Sequence, residues 1–300
     1  MGKIAFVFAG QGAQYPGMGQ ELAQCSPAAA EIFAKLDALR PGTSAQCFGG
    51  TDEELKETKN TQPCMFAVEL AAAAALEEGG LRADMAAGFS LGEIGALTYT
   101  RAVDLETGFH LVCRRGELMQ AAAEEQPTAM AAVLKLSNEE VEQICAQFAQ
   151  VYPVNYNCPG QVSVACAKEQ LAPFSAAVKA AGGRALPLKV RGGFHSPFMA
   201  TAAQGFAQVL EECRVGQPEM PLYSNRTGAV YEGDPKPLLS QQIASPVRWE
   251  TIVRNMIAAG ADTFVELGPG KTLCGLIKKT ARQAAVLQVE DADTLSAAVT

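Results

Sequence analysis

Two rhythms of apolar residues alternate along the chain. Short continuous runs, of the kind a strand buried on both faces requires, occur at "KIAFVF" (3–8), "DMAAGF" (84–89), "PLYSN" (221–225), "TFVEL" (263–267) and "AAVLQV" (284–289). Between them, apolar residues at helical spacing predict helices at 17–39, 61–78, 91–100, 104–123, 197–213, 237–244, 248–260 and 271–282. The second is Ala-rich and closes at Gly79-Gly80, and Asp104 is placed to cap the fourth. Strands that alternate with helices imply a mainly parallel sheet covered on both faces.

The stretch from 127 to 190 follows another order. Strands are expected at "TAMAAVLKL", "VYPVNYN", "QVSVACA" and "RALPLKV", with helices opened by the capping-box pattern "SNEE" (137–140) and carried by "EQLAPFSAAVKAAGG". The resulting βαββαβ order is the ferredoxin-like signature. The chain therefore reads as an α/β protein. Residues 1–125 and 192–300 form the large domain with the mainly parallel sheet, and 126–191 an inserted ferredoxin-like subdomain.

Composition narrows the function classes. With 300 residues, 48% hydrophobic and 19% charged, the chain has material for a substantial core and does not read as disordered. A formal net charge of -8 argues against a general nucleic-acid surface, which needs clustered Lys and Arg. The nine cysteines are scattered, without a C-x-x-C pair, as suits reduced thiols in a cytoplasmic protein. His110 and His195 are the two imidazoles available, so no metal site is expected. "IAFVFA" is shorter than a secretory h-region, and "LAAAAAL" (70–76) is too short to span a bilayer.

Two Gly-rich stretches fail as nucleotide motifs. "GQGAQY" (10–15) has Tyr15 where the dinucleotide fingerprint needs a glycine, and "GPGKT" (268–272) has Val265 where a P-loop needs its first one. "GFSLG" (88–92) matches G-x-S-x-G completely, between a strand and a helix. That is the setting in which a serine is held on a strained turn with its hydroxyl exposed. It gives the large domain an α/β-hydrolase-like reading and makes Ser90 the candidate nucleophile. A serine needs a base. His195, in the Gly/Pro-bounded loop "RGGFHSPFM" where the insert rejoins the large domain, is placed to face a cleft. His110 lies on an apolar helical pattern and reads as a core or boundary residue. No carboxylate occupies an obviously matching loop, so the expectation is a Ser-His dyad whose imidazole is oriented by a carbonyl or amide.

Six blocks in order, "FVFAGQGAQYPGMG", "GFSLGEIGAL", "RRGELMQ", "NYNCPGQV", "GGFHSPFM" and "ELGPGKTL", cover nearly the whole chain. In this the chain resembles the malonyl-CoA:acyl carrier protein transacylases and, more broadly, the acyltransferase domains of fatty acid and polyketide synthases. The resemblance implies a cytoplasmic acyltransferase of fatty acid biosynthesis that moves a malonyl group from malonyl-CoA to holo acyl carrier protein through a malonyl-serine. No cofactor is implied, coenzyme A thioester being a substrate, and the expected state is a monomer without nucleic-acid or membrane partners. The alternatives are a free-standing acyltransferase of a polyketide synthase and, in another class, a serine esterase or thioesterase.

By the same resemblance Ser90 is the nucleophile, His195 the base, and Arg115 the holder of the substrate carboxylate. A guanidinium fork suits that last task, with Arg114 as the neighbouring alternative. The backbone N–H groups of Gln11 and Leu91 are the implied oxyanion hole. Gln242, next to Gln241, is the implied orienter of the histidine, and Phe89, Asn157 and Phe194 are expected to line the cleft. Two departures stand out: Phe89 occupies a position where the family often has histidine, and Ala9 replaces the usual proline of "FPGQG". Phe194 beside His195 resembles malonyl-selective members. An acidic carrier protein would have to dock on local basic residues, the candidates being Lys189, Arg191, Lys271, Lys278, Lys279 and Arg282.

Overall fold

A computed structural model of the chain describes residues 2–190 and 192–300. Its strands are β1 (Lys3–Phe8), β2 (Met85–Gly88), β3 (Thr128–Leu134), β4 (Val151–Cys158), β5 (Gln161–Ala167), β6 (Arg184–Pro187), β7 (Leu222–Tyr223), β8 (Ala261–Leu267) and β9 (Ala285–Val289). They form two sheets. The larger has the order β7-β2-β1-β8-β9 with every pair parallel. Residues 5–8 of β1 are fully buried, as expected of a central strand covered by helices on both faces.

The smaller sheet has the order β4-β5-β3-β6, antiparallel throughout. With the helices Asn138–Cys145 and Leu171–Ala180 it has the ferredoxin-like strand order, and a core of its own around Val133, Val141, Val162 and Phe174. Ser137 and Glu140 make the reciprocal capping box that "SNEE" announced. The sheet's strand β4 is also stitched to the segment that precedes the helix Trp249–Ala258. Tyr156 N–H donates to the Val247 carbonyl at 2.9 Å, and Val247 N–H to that of Val154 at 2.8 Å.

The helices differ from expectation where capping chemistry outranks apolar rhythm. The helix expected at 17–39 is two helices, Gln20–Cys25 and Pro27–Leu39. Ser26, in extended backbone, accepts the Ala29 N–H, and Pro27 takes the first position of the new helix. Two short helices, Thr43–Gly49 and Asp52–Lys56, were not anticipated, although Thr51 and Glu54 form a capping box. The strand expected over 184–190 ends at Pro187, and a final helix, Ala292–Val299, went unread. His110 is exposed, not part of the core. The nine cysteines are free thiols, and six of them are buried. No helix among the described residues is long and apolar enough to cross a membrane.

Topology alone brings the active loops together. In a parallel sheet all strands end on the same edge, so the loops after neighbouring strands meet there. Gln11 follows β1, Ser90 follows β2 and Asn225 follows β7, and these three strands are adjacent.

Candidate active site

Ser90 sits at φ 57°, in the left-handed region that costs a side-chain-bearing residue about 1 kcal/mol or more. The flanking glycines make this turn possible. A Cβ on Gly88 would lie 1.9 Å from the Gly92 carbonyl carbon, and one on Gly92 would lie 2.3 Å from the Phe8 oxygen. No other residue lets the Gly92–Tyr99 helix start so close to β1 and β2. The strained turn is held from both sides by side chains. Ser90 N–H donates to Asn225 Oδ1 at 2.7 Å, and the Ser90 carbonyl accepts from Gln242 Nε2 at 2.7 Å.

His195 is brought 105 positions along the chain to put Nε2 at 2.7 Å from Ser90 Oγ. It too has a positive φ, 60°, and is 3% exposed. Its Nδ1 lies 2.9 Å from the main-chain oxygen of Gln242. A carbonyl can only accept, so Nδ1 carries the proton and Nε2 presents a lone pair to the serine hydroxyl. The orienting group at Gln242 is thus its backbone carbonyl; its amide side chain has a different set of contacts.

Burial, and then the Arg115 charge, push the His195 imidazole down from 6.5 to about 4. A base is active when deprotonated, so a depressed value keeps it active to lower pH. Inactivation of Ser90 by an uncharged sulfonyl fluoride is therefore expected to keep most of its rate down to about pH 5 and to fall with a midpoint near 4. A midpoint at the ordinary histidine value would contradict this.

Arg115 comes from the middle of the helix Leu105–Glu124 and is 1% exposed. Its Nη1 donates to Gln62 Oε1 at 2.9 Å, and its Nη2 to Gln242 Oε1 at 2.8 Å and to Ser90 Oγ at 3.2 Å. Its Nε–H is buried without a partner among the described residues. Arg114 faces solvent and pairs with Glu117, so only Arg115 of the two reaches the serine. Burial lowers the guanidinium to about 10, leaving it charged at neutral pH.

Leu91 follows the serine in the chain, and Gln11 lines the same cavity as Ser90. Neither N–H donates to an acceptor among the described residues. Gln11, Phe89, Ser90, Phe194 and His195 line a cavity of about 100 Å³ with Met119 and Met130. It adjoins a larger cavity of about 330 Å³, which shares Gln11 and Phe89 and is also bordered by Asn157, Gln161, Lys189 and Leu276. Asn157 is held there by a 3.1 Å bond from its Nδ2 to Ser163 Oγ. Phe89 stands at the junction of the two cavities and packs edge-on against Trp249 at 5.5 Å. Of the candidate docking residues, Lys189 is exposed at the larger cavity, and Lys279 Nζ reaches Gln161 Oε1 at 3.1 Å. Arg191 lies outside the described residues.

Four site residues escaped the sequence reading: Gln62, Glu93, Asn225 and Tyr231. Glu93 lies within the "GFSLGEIGAL" block and is fully buried. Its Oε1 accepts from the Asn225 N–H (2.8 Å) and the Tyr231 hydroxyl (2.7 Å), and its Oε2 from Gln242 Nε2 (2.8 Å). Burial lifts its carboxyl to about 7, against the pull of those donors and of Arg115.

Comparison with known proteins gives the family. The family profile described as "Acyl transferase domain" matches residues 5–298. The chain is 38% identical to the malonyl CoA-acyl carrier protein transacylase of Bacillus subtilis, over all of this chain and 97% of that one. The crystal structure of the Clostridium perfringens malonyl CoA-acyl carrier protein transacylase superposes with a TM-score of 0.96 at 34% identity, covering 99% of this chain and 96% of the other. A malonyl-transacylase solved in complex with a type II polyketide synthase acyl-carrier protein gives 0.95 at 35% identity, covering 99% of each chain. With its elbow serine, its imidazole and an α/β frame shared over its full length with these proteins, the chain belongs to the acyl transferase domain family.

Proposed function

We propose that this protein transfers the malonyl group of malonyl-CoA to the phosphopantetheine thiol of an acyl carrier protein, in the service of fatty acid synthesis. The observation that carries the reading is the meeting of three groups at one oxygen. Ser90 Oγ lies 2.7 Å from an unprotonated imidazole nitrogen and 3.2 Å from a buried guanidinium. An esterase needs the first contact; an acyl group with its own carboxylate needs the second as well.

In this mechanism His195 Nε2 takes the hydroxyl proton as Ser90 Oγ attacks the thioester carbon. The free N–H groups of Gln11 and Leu91 receive the developing oxyanion. The C–S bond then breaks, His195 returns the proton to the CoA sulfur, and the malonyl ester remains on Ser90. The carrier's thiol enters by the same route, gives its proton to His195 and takes the acyl group. Arg115 exchanges its bond to Ser90 Oγ for the malonyl carboxylate. It shares a helix face with Met119 of the smaller cavity, four residues on. The larger cavity, with Lys189 at its border, suits the pantetheine arm. All of this is side-chain and main-chain chemistry and calls for no cofactor.

The test is transfer itself. Incubated with malonyl-CoA and holo acyl carrier protein, the enzyme is expected to yield malonyl carrier protein, with release of free malonate a minor side reaction. Free malonate as the main product, with the carrier left unloaded, would assign it to the hydrolases instead.

A further inference from the structure

We infer that Glu93 is a positioning residue for this reaction: by binding Gln242 and Asn225 at once, its carboxylate sets the register between the nucleophile Ser90 and the guanidinium of Arg115. The inference rests on the proposed malonyl transfer, in which Arg115 receives the acyl carboxylate.

The contacts form a closed circuit. Asn225 and Gln242 are the two side chains that hold the backbone of Ser90, one at its N–H and one at its carbonyl. Both are anchored to Glu93, Asn225 through its N–H on Oε1 and Gln242 through its Nε2 on Oε2. Asn225 Nδ2 also binds the Gly88 carbonyl at 2.6 Å, so it grips the turn on the strand side as well. The other end of the Gln242 amide, Oε1, accepts from Arg115 Nη2. Gln242 thus spans nucleophile and clamp, and Glu93 fixes the end of that span.

A carboxyl group fits this position and a carboxamide does not. Every polar contact of Glu93 is one in which it accepts: a main-chain N–H and a phenol on one oxygen, an amide NH₂ on the other. A glutamine would have to turn its own NH₂ toward one of these donors. Placed against Gln242, it would push away the amide that holds both Ser90 and Arg115; placed against Asn225, it would loosen the grip on the Ser90 N–H. A buried donor facing a donor is costly.

The test separates register from general integrity. Acylation of Ser90 by malonyl-CoA depends on both the nucleophile and the clamp, whereas acetyl-CoA, which has no acyl carboxylate, depends on the nucleophile alone. In Glu93→Gln the malonyl-to-acetyl ratio of acylation rates, read by quenched intact-mass analysis, is expected to fall about 10- to 100-fold. Glu93→Asp, still a pure acceptor, is expected to recover the greater part of that ratio. Both rates lowered in proportion, or a ratio like that of the unaltered protein, would overturn the role given to Glu93. If Glu93→Gln does not fold, Gln242→Met cuts the same span at its other end and is read by the same two outcomes. An unaltered protein that takes no malonyl group on Ser90 would overturn the proposed function itself, a separate result.

Discussion

With His195 replaced by alanine, acylation of Ser90 by malonyl-CoA is expected to slow about 10³- to 10⁵-fold. The size follows from what the imidazole does. A serine hydroxyl is a poor nucleophile until its proton is removed, and His195 Nε2 is the acceptor within hydrogen-bond reach of Ser90 Oγ. Arg115, the hydroxyl's other neighbour, can only donate to it. In the proposed mechanism the same imidazole protonates the departing thiolate, so both halves of the transfer lose their proton carrier. A residual rate should persist if, as proposed, the N–H groups of Gln11 and Leu91 receive the oxyanion, because the substitution leaves them in place. Thioester consumption followed by the appearance of free CoA thiol gives the rate. A loss smaller than about tenfold would mean that another group takes the proton.

Arg115→Ala is the second large effect, and its signature is selectivity. Removing one partner of a desolvated guanidinium–carboxylate pair costs about 2–5 kcal/mol, so kcat/KM for malonyl-CoA is expected to fall about 30- to 4,000-fold. For acetyl-CoA the fall should stay within about tenfold, which raises acetyl over malonyl in relative terms. Some loss common to both thioesters is expected as well. The alanine leaves Gln62 Oε1 and Gln242 Oε1 as buried acceptors that have lost their donor. Removing the cation also lifts the His195 imidazole from its value of about 4, since Arg115 is the second cause of that depression. Competition between the two thioesters in a single reaction measures the ratio directly. Equal losses for both would show that Arg115 braces the site without meeting the acyl carboxylate.

The sequence made the frame legible because the frame is built from local rules. Continuous apolar runs marked the parallel strands, βαββαβ marked the antiparallel sheet, and "SNEE" marked a helix start. The elbow was legible for the same reason: a serine between glycines after a strand has few other uses, and the contacts a Cβ would make at Gly88 and Gly92 show why. What stayed hidden is the layer beneath. Gln62, Asn225 and Tyr231 lie far from Ser90 in the chain, in stretches with no motif of their own. Their importance arises only when β7 is laid beside β2 and the helix carrying Gln62 beside the one carrying Arg115. Glu93 was in view inside a quoted block, but an acid in the first turn of a helix reads as an ordinary cap-side charge. Its burial cannot be seen from the helix alone. The break at Ser26-Pro27 and the capping box at Thr51 and Glu54 were readable and were outweighed by apolar rhythm.

The whole account depends on a covalent malonyl ester at one position. Brief incubation with malonyl-CoA alone, an acid quench and peptide mapping should find the malonyl group on Ser90, and Ser90→Ala should carry none. A malonyl group mapped to any other residue, or rapid transfer to carrier protein by Ser90→Ala, would contradict it.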